Sequence, residues 1–192
     1  ESLAGRVCLL QMAPMSQAEI CGAAPAPFVL DLEQLSQRVK ERSSIDTPAL
    51  YERIFRGGMP ALISGQYSDY RAVYSSYIST YIDRDVKEIS GAILENFAVS
   101  EIAKSYQNCG QEAFIYYYRD KDTKEIDILL EDSGKLYPME IKKTATPQSQ
   151  LTRVFGVIDK AALERGTGAV LCTTDRLSAF DSRNLIVPIW GI

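Results

Sequence analysis

Residues 125–143, EIDILLEDSGKLYPMEIKK, constrain this chain more than any other stretch, because they hold two alternating runs around a short turn signal. Ser133 and Gly134 sit between the runs, and a glycine there suits a two-residue hairpin turn. Such a turn sets Asp127 opposite Glu140 and Glu125 opposite Lys142, while Ile126 faces Ile141, Ile128 faces Met139 and Leu130 faces Tyr137. Side chains alternate across a strand. The register therefore predicts one apolar face and gathers Glu125, Asp127, Glu140 and Lys142 on the other.

Like charges directly opposed, as in Asp127 and Glu140, destabilise a sheet unless something neutralises them. A divalent cation does so: hard ions such as Mg²⁺ or Mn²⁺ take oxygen ligands, and one or two carboxylates plus water and substrate phosphate oxygens suffice. Lys142 would then orient or deprotonate an attacking water, or stabilise charge on a phosphate. On this reading Asp127, Glu140 and Lys142 are the candidate catalytic residues, and Glu125 is the ion-pair partner that holds Lys142. The plain alternative is a half-exposed antiparallel strand with an ordinary Glu125–Lys142 pair. Lys143 falls on the other strand face and reads as a solvated edge residue.

With 192 residues, 46% of them hydrophobic, the chain can bury a core of one domain plus an appendage. A net charge of −4 argues against a dedicated, sequence-independent nucleic-acid binder, but not against an enzyme that meets phosphate at one local site. The chain has no histidine, which excludes imidazole zinc sites and Ser-His or Cys-His catalysis. Cys8, Cys21, Cys109 and Cys172 lack metal-ligand spacing. No membrane-length apolar run or secretory signal is present, so the expectation is a reduced, cytoplasmic protein with no membrane partner. The opening at Glu1 rather than methionine reads as a piece of something longer, and no GxxxxGK[ST] phosphate loop occurs.

Along the chain, GRVCLLQM reads as a strand and CGAAPAPF as a loop. Residues 31–42 and 48–55 read as helices, the second stopped by Gly57, Gly58 and Pro60. Tyr70, Val73, Tyr74, Tyr77, Ile78, Tyr81 and Ile82 recur at spacings of three and four, an amphipathic helix whose tyrosines suit core or interface better than base stacking. A further helix starts near Gly91. In it Glu95 lines up with Val99, Ile102 and Tyr106, so it is either an inward carboxylate that needs a metal or basic partner, or a surface-edge residue. Then come strand 113–118, the hairpin, a helix over 149–165, and strands 168–172 and 184–190. Short turns between the first three strands predict an antiparallel run, and the following helix predicts a crossover. Gln148 and Gln150 read as helix-start residues.

An acidic residue on one strand, Glu-X-Lys on the next and a Glu on the preceding helix resemble the PD-(D/E)XK, restriction-endonuclease-like superfamily. Asp127, Glu140 with Lys142, and Glu95 match those places. More narrowly, ESLAGRV, FRGGMP, SYISTYIDRDVKEI, GAILENFAVSEI, EIDILLE and MEIKK, in that order, resemble a family of prokaryotic AAA-type ATPases. Their C-terminal part, long labelled a domain of unknown function, ends in this fold. The resemblance implies an α/β chain with a mixed α+β sheet: residues 1–30 as the tail of an ATPase domain, 31–90 as a helical linker or lid, and 91–192 as a nuclease-like domain with an α-β-β-β-α-β core. It implies Mg²⁺ or Mn²⁺ at Glu95, Asp127 and Glu140, and ATP bound only by the upstream half that carries the Walker motifs, with Arg6 as a nucleotide-sensing arginine of the intact protein. In the family a winged-helix-like segment separates the stretches resembling YIDRDVKEIS and GAILENF. Here Ser90 is followed at once by Gly91, which implies an internal deletion or a break in the numbered chain.

Three functions follow as expectations. The first is metal-dependent phosphodiester hydrolysis of nucleic acid. The second is a catalytically silent nuclease-fold module that docks DNA or protein, its own ATPase domain included. The third is homo-oligomerisation through the tyrosine-bearing helix and the N-terminal segment.

Overall fold

The computed structural model describes residues 12–67, 69, 86–121 and 123–192, with side chains from residue 91 onward in the helix that begins at Val86. The tyrosine stripe beyond Tyr67, Arg6 and nearly all of the GRVCLLQM segment lie outside the described residues.

The architecture is a mixed α/β arrangement around a seven-stranded sheet. Among the described residues four helices come first: α1 (Gln17–Ile20), α2 (Leu32–Glu41), α3 (Thr47–Arg56) and α4 (Pro60–Ile63). Their starts follow from local chemistry. Asp31 accepts from the Gln34 amide at 3.0 Å and Asp46 from the Ala49 amide at 2.8 Å, so each carboxylate takes one of the unpaired N–H groups of a helix start. Gly57 ends α3 at φ 68°, a conformation that glycine adopts without a side-chain clash. Helix α5 (Val86–Gln107) begins earlier than its apolar pattern predicts and runs unbroken across Ser90 and Gly91.

Strands β1 (Phe114–Arg119), β2 (Glu125–Asp132) and β3 (Lys135–Lys142) form the expected antiparallel run. Ser133 and Gly134 both take positive φ, 50° and 74°, as a two-residue hairpin turn requires, and Asp132 pairs with Lys135 across it. A crossover then leads from β3 to β5 (Gly168–Cys172), which lies parallel to it. The crossover is a 3-10 helix (Ser149–Lys160), not the expected α-helix over 149–165, and its end gives way to a two-residue strand β4 (Glu164–Arg165) paired with β3. Thr152, Phe155 and Ile158, the buried residues of the 3-10 helix, recur at every third position, the period of that helix. Strand β7 (Asn184–Pro188) is parallel to β5 and antiparallel to β6 (Ser178–Asp181), and a 3-10 turn (Ile189–Gly191) replaces the predicted end of the last strand. The order across the sheet is β1-β2-β3-β5-β7-β6.

Both faces of the sheet are covered. On one, Ile128, Leu130, Met139, Ile141 and Leu171 meet Leu94, Phe97 and Ile102 of α5, together with Phe28, Leu35 of α2 and Leu50 of α3. On the other, Ile126, Leu129 and Leu136 meet Phe155 and Ile158 of the 3-10 helix. The central strand β5 is buried along its length, as a parallel strand between two layers must be. Ile126 was expected on the same face as Ile128. A bulge reverses it: from Tyr116 to Tyr118 β1 advances two residues while β2 advances three, from Leu129 to Ile126. The extra residue in β2 breaks the two-residue alternation. Among the described residues no helix is long and apolar enough to cross a membrane.

At Gly168 the backbone runs against the 3-10 helix, and an added Cβ would stand 2.7 Å from Phe155 Cδ2 and 2.8 Å from Asn184 Oδ1. Gly168→Ala is expected to destabilise the fold by about 1–3 kcal/mol through overpacking, read as a lower urea midpoint with an unchanged slope.

Candidate functional site

The hairpin ladder does not run its full predicted length. Its last backbone pair is Ile128 with Met139, and beyond that point β3 keeps pairing with β5 through Glu140, Ile141 and Lys142. The Asp127 carboxylate takes over where the ladder stops: its Oδ2 accepts from the Ile141 amide at 2.8 Å. Ile141 is buried, so this bond satisfies an N–H that would otherwise be desolvated without a partner.

Lys142 reaches the same place from β3. Its Nζ lies 2.9 Å from Glu140 Oε2 and 3.3 Å from Asp127 Oδ2. Three of the four residues that the predicted register gathers, Asp127, Glu140 and Lys142, are therefore assembled, on the sheet face that carries the 3-10 helix. The Glu140 side chain is 9% exposed, that of Asp127 17% and that of Lys142 39%, so the ammonium closes the solvent side of a half-buried carboxylate pair.

Burial, with the nearby charge of Asp127, pushes the Glu140 carboxyl up to about 7, against the hydrogen bond from Lys142 that favours its charged form. Burial acts to depress the Lys142 ammonium, but its bond to Glu140 and the charge of Asp127 outweigh burial and hold it above its ordinary value. Near neutral pH Lys142 is a cation that neutralises the site.

Two expectations are corrected. Glu125 does not hold Lys142: it pairs with Arg119 on β1, Nε to Oε1 at 3.1 Å, because the bulge at Asp127 separates it from β3. Glu95 does not point inward. It is exposed, as is Val99, and the buried stripe of α5 runs instead through Leu94, Phe97, Ala98, Glu101 and Ile102. Among the described residues no three carboxylates or cysteines stand close enough together to hold a metal, so Glu95 does not join Asp127 and Glu140.

The buried glutamate of α5 is Glu101, paired with Lys104 one turn on. Glu101 also accepts from the Gln17 amide at 2.8 Å and Lys104 donates to the Met15 carbonyl at 3.2 Å, so this pair anchors the segment before α1. Its place seven residues after Leu94 and four after Phe97 was the signal available in the sequence. Lys143 is exposed on the opposite sheet face, with its ammonium 5.0 Å from the Tyr51 ring centroid. Gln150 donates to Gln148 at 2.9 Å at the exposed start of the 3-10 helix.

Two carboxylates and a lysine thus converge where β3 parts from β2 in a mixed α/β sheet. A family model described as a domain of unknown function (DUF4143) matches residues 90–192, more than half of the chain and all three residues, and the chain belongs to that family. No curated protein and no solved structure matches it.

The raised Glu140 sets the sign of a pH effect. The folded state keeps this proton where the unfolded chain, with an ordinary value of 4.5, has released it. Stability from this group is complete below about 4.5 and is lost as pH rises to about 7. Urea midpoints are expected to fall across that window in the wild type, and Glu140→Gln is expected to flatten the fall. Asp127→Ala, which strands the Ile141 amide, is expected to cost about 1–3 kcal/mol in the same assay.

Proposed function

We propose that this chain is the C-terminal part of a prokaryotic AAA-type ATPase whose residues 91–192 form a PD-(D/E)XK, nuclease-like domain, following an ATPase tail over 1–30 and a helical linker over 31–90. The proposed activity is metal-dependent phosphodiester hydrolysis of nucleic acid. The observation that carries it is the convergence of Asp127, Glu140 and Lys142 at the point where β3 parts from β2.

The donor set suits a hard divalent cation. Two carboxylates approach one point from adjacent strands, and the remaining positions of Mg²⁺ or Mn²⁺ are ordinarily filled by water and phosphate oxygens. When bound, such an ion polarises a phosphate and lowers the pKa of a coordinated water. The chain's own residues supply the rest. Asp127 is oriented by the Ile141 amide and Glu140 is fixed by the β3–β5 ladder, so both are aimed before any ligand arrives. Were Asp127 and Glu140 to hold such a cation, the Lys142 ammonium beside them would be the group placed to donate to a phosphate oxygen. As an ammonium it fits stabilisation of anionic charge better than proton abstraction.

The second reading, a silent module that docks DNA or protein beside its ATPase domain, is favoured by one observation. Lys142 already bonds both carboxylates from within, so an internal cation occupies the place that a metal would take.

Calorimetric titration with Mn²⁺ separates the two. Wild-type binding that is lost in an Asp127→Asn, Glu140→Gln variant of intact fold is expected, with cleavage of a nucleic-acid substrate then abolished by Lys142→Ala. No binding at millimolar Mn²⁺ with a short DNA duplex present would overturn the nuclease reading and leave the docking module.

A further inference from the structure

Residues opposite one another in an antiparallel pair share a sheet face, and β1 sets Phe114 against Glu131, Ile115 against Leu130 and Tyr116 against Leu129. Leu129 packs with Phe155 and Ile158 of the 3-10 helix, whereas Leu130 and Ile115 pack on the side of α5. Phe114 and Tyr116 therefore lie on the face of the 3-10 helix, and Tyr118, two residues on, packs against the same cluster. Alternation along β3 from Leu136 of that cluster puts Glu140 and Lys142 on this face as well.

The row is open to solvent and leads toward the carboxylates. On this outer strand Phe114 is 49% exposed and Tyr116 48%. Tyr116, Leu129 and Pro138 are register partners across β1, β2 and β3, and Glu140 follows Pro138 by two residues. With strands about 4.8 Å apart and a rise of about 3.4 Å per residue, the backbone at Tyr116 stands about 12 Å from that at Glu140. Aromatic side chains left in water in a row, on the face and at the approach of one charged site, call for a partner with flat apolar surfaces. An added β-strand suits this edge poorly, since the extra residue in β2 strengthens its twist. A duplex held by its phosphates suits it no better, because the chain carries a net charge of −4.

We infer that this face of β1 is a stacking platform for single-stranded nucleic acid, with Phe114 and Tyr116 each receiving an unpaired base and the strand leading past Tyr118 to Asp127, Glu140 and Lys142. The inference rests on the phosphodiester reading and names its substrate as single-stranded. Base–aromatic stacking draws its energy from ring faces rather than net charge, and every base has such a face. In a duplex those faces are already stacked on one another. Tyr117, 58% exposed, falls on the opposite face beside Glu125 and Arg119 and takes no part.

A labelled single-stranded oligothymidylate is the probe, titrated with the chain at constant ionic strength in a metal chelator and read by fluorescence anisotropy. Saturable binding is expected, with Tyr116→Ala weakening it about fivefold or more and Tyr117→Ala leaving it unchanged. Phe114→Ala serves as the second variant if Tyr116→Ala does not fold. Equal affinity for a duplex of the same length, unchanged affinity in the folded Tyr116→Ala and Phe114→Ala variants, or self-association through Tyr116 without oligonucleotide binding would each overturn the inference. The Mn²⁺ titration keeps the two readings apart. A chain that binds Mn²⁺ at Asp127 and Glu140 but not the single strand loses this inference alone, whereas single-strand binding through Tyr116 without Mn²⁺ binding supports the platform and overturns hydrolysis.

Discussion

Strand β3 organises this structure because its two edges are bonded over different lengths. On one side it pairs antiparallel to β2 from Lys135 to Met139, and on the other it pairs parallel to β5 from Met139 to Lys142. Met139 is the residue common to both ladders. Past it, one edge of β3 lacks a backbone partner, and a buried amide there must be satisfied by something else. Asp127 supplies that bond, and the requirement places a carboxylate against the very residues, Glu140 and Lys142, that flank Ile141. A demand of backbone hydrogen bonding thus produces the charged cluster.

Among the described residues two glutamate–lysine arrangements have opposite character. Glu101 and Lys104 each bond to backbone of the segment before α1, so their charges serve to position chain. Lys142 gives its hydrogen bonds to two carboxylates, and the cluster retains an open side at its ammonium. A buried pair with every group spoken for resists exchange of partners, whereas one lysine shared between two carboxylates gives each of them fewer hydrogen bonds.

Much of the fold was legible because its signals were local. Ser133 and Gly134 announced a two-residue turn, and that turn set the pairings of Ile128 with Met139 and Leu130 with Tyr137. The assembly of Asp127, Glu140 and Lys142 followed from the same register. Glu125 and Ile126 were misplaced because strict alternation was carried past a bulge that leaves no residue-type signature in β2. Glu95 was left between an inward and a surface-edge reading on one row of α5, and the metal-ligand place assigned to it fails because the stripe through Leu94, Phe97 and Ala98 turns away from it. Residues 149–165 were read as a helix without a type of turn; only the buried set Thr152, Phe155 and Ile158 reveals the tighter period. Strands β4 and β6, of two and four residues, are too short to show periodicity and form because neighbouring strands offer them an edge.

The bulge between β1 and β2 has a consequence at the margin of the sheet. Strand β1 is an outer strand that presents Phe114, Tyr116 and Tyr117 to solvent, the composition that invites another chain to add on. A bulged ribbon coils more strongly than a regular one, and a coiled edge matches poorly to a flat incoming strand. The one extra residue that sets Asp127 against β3 therefore also adds twist along the aromatic border.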